Sequence, residues 1–205
     1  IRDVAVTGVQ TCALPIFVIP RGSSNLIRTV VDESTVPTIE TGAGVCHVYV
    51  DEDADLAKAL PIVLNSKTHR PSVCNAAETL LVHESIAQKF LPVALAALAE
   101  SKVKLNVDPV VKKIADELGI KTELATEENW HTEYNALEMN VGVVPNLLAA
   151  ADHIEKYGTK HTEAIVTENE DNANRFVALS DCAAVMVNAS TRFTDGEQMG
   201  FGAEI

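Results

Sequence analysis

One cysteine stands in a setting suited to chemistry: Arg70-Pro71-Ser72-Val73-Cys74-Asn75-Ala76-Ala77-Glu78-Thr79-Leu80-Leu81-Val82. A proline-led turn precedes the thiol and an apolar run follows it, so Cys74 lies on a constrained approach to a strand or a buried helix end. A thiol mounted there could serve as a nucleophile, because its thiolate is the reactive form and nearby donors or positive charge favour that form. The competing reading is an inert buried cysteine, the usual state of an isolated thiol. Cys12, Cys46 and Cys182 are widely spaced and no CxxC pair occurs, which argues against a disulfide framework or a zinc knuckle. Cys46 and Cys182 fall in or beside apolar strands, where the inert reading is favoured. His69, His131 and His161 are scattered without metal-ligand spacing, so no metal site is expected.

The elements that must position Cys74 follow from the hydrophobic pattern. Phe17-Val18-Ile19-Pro20 predicts a short strand, Arg21-Gly22-Ser23-Ser24-Asn25 a turn, and Leu26 to Val31 a helix. Such a turn either carries a plain serine cap or presents backbone N–H groups to an anion. Val45 to Val50 reads as a buried strand, with His47 a hydrogen-bonded core histidine. Asp51-Glu52-Asp53-Ala54-Asp55 reads as a solvated acidic cap on a helix from Leu56 to Asn65, since the glycine and distal glutamate of a calcium loop are missing. Glu84-Ser85 is expected to cap a helix from Ile86 to about Ser101. A strand at 103–107, a helix at 109–118 closed by Gly119, a strand at 137–144 and a helix at 147–157 stopped by Gly158 come next. The last three are a strand at 164–167, a helix at 169–179 and a strand at 183–188. Strands alternating with helices predict an α/β fold with a parallel sheet, whose reactive loops are expected at the carboxyl ends of the strands.

Composition narrows the partners. The chain has 205 residues and a net charge of −13, so it lacks the dense basic face that phosphate-backbone binding requires, and no nucleic acid is expected. Apolar runs fall short of the ~18 residues of a membrane span. A soluble, cytoplasmic protein with an aliphatic core is the expectation. Residues 1–16 are out of keeping with the rest: their VTGVQTCALPI stretch resembles translated sequencing adapter, and they are read as a non-native leader. The missing initiator Met and the stop in mid-pattern at Ile205 suggest a piece of a longer protein.

Five segments, VIPRGSS, VCHVYVDEDAD, KTHRPSVCNAAETLLVH, YGTKHTEAIVT and VNASTRFTDGEQMGFGAEI, resemble the gamma-glutamyl phosphate reductases, a family within the aldehyde dehydrogenase superfamily. The resemblance runs from Phe17 to Ile205. It implies an aldehyde dehydrogenase-like catalytic domain with a mostly parallel sheet flanked by helices, with 17–35 the end of a cofactor-binding domain and 36–205 an incomplete catalytic domain. It further implies NADPH-dependent reduction of L-glutamyl 5-phosphate to L-glutamate 5-semialdehyde with phosphate release, in L-proline biosynthesis, by a homo-oligomer when full length.

Cys74 matches the family's nucleophile, which forms a thioacyl intermediate. Arg70, Asn75, Asn188, Ser190, Thr191 and Arg192 are expected at the substrate; the two arginines suit its carboxylate and phosphate. For Arg192 an exposed surface salt bridge is the alternative. Gly22, Ser23, Ser24 and Glu133 are expected at the cofactor, Glu133 on a ribose. Glu40 lies near the place of the activating glutamate of hydrolytic relatives without matching in register, and is not assigned as a base. Gly196, Gly200 and Gly202 space a loop that could close over substrate. Two alternatives stand: a non-catalytic fragment that binds substrate or a partner chain, and an aldehyde dehydrogenase of other specificity.

Overall fold

The computed structural model describes residues 15–22, 24–40 and 42–202. The expected leader at 1–16 lies outside them except for its last two residues, and so does Ser23. The chain divides into two compact units between Gly42 and Ala43. In the first, helix α1 (Ser24–Glu33) is flanked by extended segments that meet in a parallel bridge between Val18 and Thr38. The strand expected at 17–20 is reduced to that bridge. Gly22 precedes the helix at φ 155°, in the region that favours glycine.

The second unit is a seven-stranded, wholly parallel sheet in the order β4-β3-β5-β2-β1-β6-β7. Its strands are β1 (Cys46–Val50), β2 (Ala77–His83), β3 (Lys104–Val107), β4 (Glu123–Leu124), β5 (Glu138–Val144), β6 (Thr162–Val166) and β7 (Ala184–Val187). The helices α2 (Leu56–Thr68), α3 (Glu84–Glu100), α4 (Pro109–Glu117), α5 (Glu127–Trp130), α6 (Leu147–Tyr157) and α7 (Glu170–Leu179) connect them.

Because side chains alternate along a strand, the central strands serve two cores. Val48, Val50, Leu80 and Val82 pack with α2, α3 and α4 through Val63, Phe90, Leu95 and Val111. Tyr49, Leu81 and Ile165 pack against α6 and α7 through Leu147, Ala150, Ile154 and Phe176. Both faces of β1 and β2 are therefore buried along their whole length, which is why Val48 to Val50 and Leu80 to Val82 run on without the polar alternation of a half-exposed strand.

Capping explains several boundaries. Asp55 accepts from Ala57 N–H at α2, and Asp108 accepts from Val110 and Val111 N–H at α4 while its second oxygen takes Val143 N–H of β5. For α3 the expected Glu84-Ser85 cap is corrected. His83 occupies the cap, its Nδ1 accepting from Ser85 N–H, because the helix begins directly on the last strand residue.

The expected solvated acid run is also corrected at Asp51. That side chain is 1 % exposed and accepts hydrogen bonds from the Tyr49 hydroxyl (3.0 Å), the Thr167 hydroxyl (2.7 Å) and the Asn172 amide (2.8 Å). It joins the carboxyl ends of β1 and β6 to α7. The short β4, the single-turn α5 and the two 3-10 turns at Thr191–Thr194 and Gly196–Met199 had no periodic signal long enough to predict them.

Two outcomes follow from this packing. Asp51→Ala strands three donors in the interior and is expected to destabilise the unit by about 3 kcal/mol in denaturant titration, with a loss below about 1 kcal/mol contradicting the hub. Burial, with the His47 and Lys156 charges adding, holds the His153 imidazole down to about 3. The folded chain then binds fewer protons than the unfolded one below pH ~6.5, so stability present above that pH is lost as pH falls. His153→Phe should flatten the decline between pH 6.5 and 4 relative to the parent; parallel curves would refute this.

Candidate active site

Cys74 sits in the connection from α2 to β2, exposed and with its sulfur in the reduced thiol form. Its backbone is fixed from below by the start of β1. A Cβ placed on Gly44 would overlap the Cys74 carbonyl and lie 2.7 Å from its Cα, so only glycine permits this approach. The Cys46 thiol donates to the same carbonyl (3.2 Å). Gly44 is in turn held by its N–H, which donates to Glu133 Oε1 at 2.9 Å. Cys46 is wholly buried, and burial, with the Glu163 charge adding, pushes its thiol well up; it is a neutral hydrogen-bond donor and no second nucleophile.

The flank of the loop is fixed by Arg192. This guanidinium is 2 % exposed and donates to the Asn75 side-chain oxygen, to Asp195 Oδ2 (2.9 Å) and, through Nε, to His69 Nδ1 (3.5 Å). The exposed-salt-bridge alternative for Arg192 is thereby set aside. Asp195 is held below the usual carboxylate range, chiefly by the Arg192 hydrogen bond and next by Glu197 N–H, with the Arg70 charge contributing. Arg70 itself is exposed four residues before the thiol.

At the base of the loop, Lys67 and Glu78 form an ion pair at 2.6 Å with both side chains fully buried. Burial pushes the Glu78 carboxyl up to about 7 against the opposing pull of Lys67, and the Lys67 ammonium is pushed down for the same reason. The Glu133 charge raises Glu78 further, while Glu138 and Cys46 act on Lys67.

The expected site residues divide into three groups. Cys74, Asn75, Arg192 and Glu133 converge, and Arg70 adjoins them through Asp195. Ser190 and Thr191 are buried beneath the first 3-10 turn: Ser190 Oγ accepts from Ser66 Oγ (3.0 Å) and from Arg192 N–H (3.2 Å), and Ser66 Oγ accepts from Thr191 N–H (3.3 Å). Asn188 lies at the other end of β7 at φ 53°, its amide clamping Thr167 by Oδ1 to N–H (3.0 Å) and Nδ2 to C=O (2.8 Å). The side chains of Asn188 and Ser190 and the Thr191 backbone N–H are thus engaged in holding the chain's return over the sheet, whereas the buried Thr191 hydroxyl has no hydrogen-bond partner among the described residues. Asn188, Ser190, Arg192 and His69 also line a groove of about 450 Å³ between α2 and the 3-10 turns.

Gly22 and Ser24 belong to the first unit. Glu40, in the same unit, is exposed. Gly196–Met199, expected as a glycine-spaced loop, forms a 3-10 turn that Asp195 caps.

One expectation is reversed. The site is at the amino ends of the strands and not the carboxyl ends: Cys74 precedes β2, whose first residue Ala77 is in register with Cys46, the first of β1, and Glu133 precedes β5. An αβ connection in a parallel sheet must arrive at that edge, and Cys74 lies on one. Sequence reasoning missed Gly44, Cys46, Lys67, Glu78 and Asp195. The Gly42-Ala43-Gly44 spacing was the one signal for the first of these. Among the described residues, no cluster of histidine, cysteine or acidic side chains is arranged to hold a metal, and no helix is long and apolar enough to cross a membrane.

Known proteins agree with this architecture. The aldehyde dehydrogenase family model matches residues 18–117. The gamma-glutamyl phosphate reductase of Thermobifida fusca is 59% identical over 187 residues, covering 91% of this chain and 44% of that protein. The crystal structure of the Thermotoga maritima gamma-glutamyl phosphate reductase superposes with a TM-score of 0.87 at 52% identity, covering 92% of this chain and 45% of that one. A glyceraldehyde-3-phosphate dehydrogenase from Methanocaldococcus jannaschii, solved with NADP, shares the fold at TM-score 0.67 and 20% identity, over 85% of this chain and 46% of that one. On these matches the chain belongs with the gamma-glutamyl phosphate reductases of the aldehyde dehydrogenase family, and it spans about half the length of the relatives it matches.

Proposed function

We propose that this chain is the nucleophile-bearing part of a cytoplasmic, NADPH-dependent reductase that converts L-glutamyl 5-phosphate to L-glutamate 5-semialdehyde with release of phosphate, in L-proline biosynthesis. The observation that carries the reading is the exposed Cys74 thiol on a backbone held by Gly44, Cys46 and the Asn75–Arg192 contact, in a chain whose relatives bear that reductase's name.

The steps follow from the residues. Cys74, as thiolate, attacks the acyl carbon; a C–S bond forms, the bond from that carbon to the phosphate oxygen breaks, and phosphate leaves with the electron pair. NADPH, when bound, supplies the hydride that reduces the thioacyl carbon. The carbonyl then re-forms, the C–S bond breaks, and Cys74 departs as the thiolate it began as.

Arg70 is the exposed cation beside this thiol and is suited to the departing phosphate, whereas the buried Arg192 keeps Asn75 and the loop in place. Glu133 fits a cofactor ribose: it is a half-buried acceptor next to the loop with one oxygen committed to Gly44, and a carboxylate accepts from sugar hydroxyls. Residues 17–35, with Gly22, Ser23 and Ser24, would close the cofactor domain and 36–205 would form the catalytic domain. A thioacyl species must be reduced before it is hydrolysed, and Glu133 and Asp195, the carboxylates bonded beside the loop, each hold a protein donor there.

In the full-length protein that contains this chain, Cys74→Ser is expected to abolish glutamyl-phosphate-dependent NADPH oxidation, by at least a thousandfold. Turnover persisting in that variant would remove the nucleophile assignment, and reduction of simple aldehydes without any acyl phosphate activity would move the protein to another substrate class. Arg70→Ala should raise KM about tenfold, equivalent to roughly 1.4 kcal/mol, with kcat within threefold; an unchanged KM would take Arg70 out of the substrate site.

A further inference from the structure

The Lys67–Glu78 pair is costly to bury and does not line the groove, yet its place in the chain is specific. Lys67 is the penultimate residue of α2 and Glu78 the second residue of β2. Everything between them is the loop that carries His69, Arg70, Cys74 and Asn75. The 2.6 Å contact therefore closes the base of the nucleophile loop, as a clasp joins the two ends of a strap. Above it the loop is tied by Cys46 and Gly44 at the Cys74 carbonyl and by Arg192 at Asn75 and His69. Separating two opposite charges in a site shielded from water costs more than separating them in solvent, because the attraction is weakly screened and each charge would be left unpaired, so the pair resists movement of the helix end away from the strand start. An apolar pair at the same positions would fill the space with less directional demand, and buried ionic pairs are in some systems retained for that specificity.

We infer that Lys67 and Glu78 are positioning residues for Cys74: their ion pair fixes the spacing of the two ends of the nucleophile loop and so the attack geometry of the thiol. This rests on the reductase reading for its catalytic consequence and on the geometry alone for its effect on the loop.

The test compares the parent with Lys67→Met/Glu78→Gln, which removes both charges at similar volume, and with Lys67→Arg/Glu78→Asp, which keeps a pair of opposite charges. Hydrogen exchange is read on the chain itself, by peptides covering 69–77 and, as internal reference, α3 and β5. The charge-free variant should exchange at least tenfold faster at 69–77 with the references unchanged, and the charge-conserving variant should recover at least part of the protection. In the full-length protein, kcat should fall at least tenfold with KM within threefold, again with partial recovery when charge is kept. Parent-like exchange in the charge-free variant, or faster exchange with unaltered kcat, would overturn the inference. If the charge-free variant does not fold, Glu78→Gln alone is read by the same two measurements and the same criteria. Should the full-length protein show no reductase turnover at all while the exchange result holds, the proposed function fails and the clasp does not.

Discussion

Everything near the thiol depends on one close approach. The Cys74 carbonyl rests where any side chain at Gly44 would have to be, and the Cys46 thiol reaches up to bond the same oxygen. An exposed thiol on a loop would ordinarily sample many backbone conformations, with the entropic cost of ordering it left to the moment of reaction. Here that cost is met by the fold: β1 and the segment leading into it supply Cys46 and Gly44, the segment before β5 supplies Glu133 to hold Gly44, and the 3-10 turn after β7 supplies Arg192 to hold Asn75. Three separate stretches of chain thus hold the loop, directly or through Gly44. The Asp51 hub and the Asn188–Thr167 clamp at the opposite edge of the sheet secure the strands and the return segment from which these groups extend.

The electrostatics around the loop is sorted by burial. Cys46 is kept neutral by desolvation, which suits a thiol that donates a hydrogen bond and does not compete for an electrophile. Arg192 and Asp195 compensate each other, so the buried guanidinium is not an open anion site. Arg70 is the cation left at the surface of the loop, and its charge reaches Asp195 as well. A phosphate leaving group would therefore meet an exposed guanidinium while the buried one maintains the frame that holds the sulfur.

Much of this was legible in the sequence because the central strands are buried on both faces and so carry runs of aliphatic and β-branched residues. Val45 to Val50 is such a case, whereas the run from Thr79 to Val82 suited a strand or a buried helix end alike; Pro109 and Leu147 opened the expected helices, and the structure adds Asp108 and Asn146 as their caps. Cys74 and Arg192 were singled out from their motifs, and the structure places them beside one another through Asn75. What the sequence could not show was contact at long range. Cys46 looked like an inert strand cysteine because its task is to bond a carbonyl twenty-eight positions away. Arg192 was expected at the substrate, and nothing in its sequence neighbourhood announced its bond to Asn75 or its burial. Asp51 read as solvent-facing because the acids that follow it are, and only the pairing of β1 with β6 brings Thr167 and Asn172 to it. The placement of the site at the amino edge was in principle readable, since the order helix, cysteine, strand is itself the statement that Cys74 lies on an αβ connection.

The central claim is that Cys74 is a preformed nucleophile for an acyl phosphate. It is tested most directly by incubating the full-length protein with freshly generated L-glutamyl 5-phosphate in the absence of reductant, quenching in acid, and locating the adduct by peptide mass spectrometry. The account predicts a single glutamyl group on the Cys74 peptide, labile to hydroxylamine and lost when NADPH is added before the quench. An unmodified Cys74 under conditions that support turnover, or an adduct on Cys46 or Cys182 in its place, would contradict it.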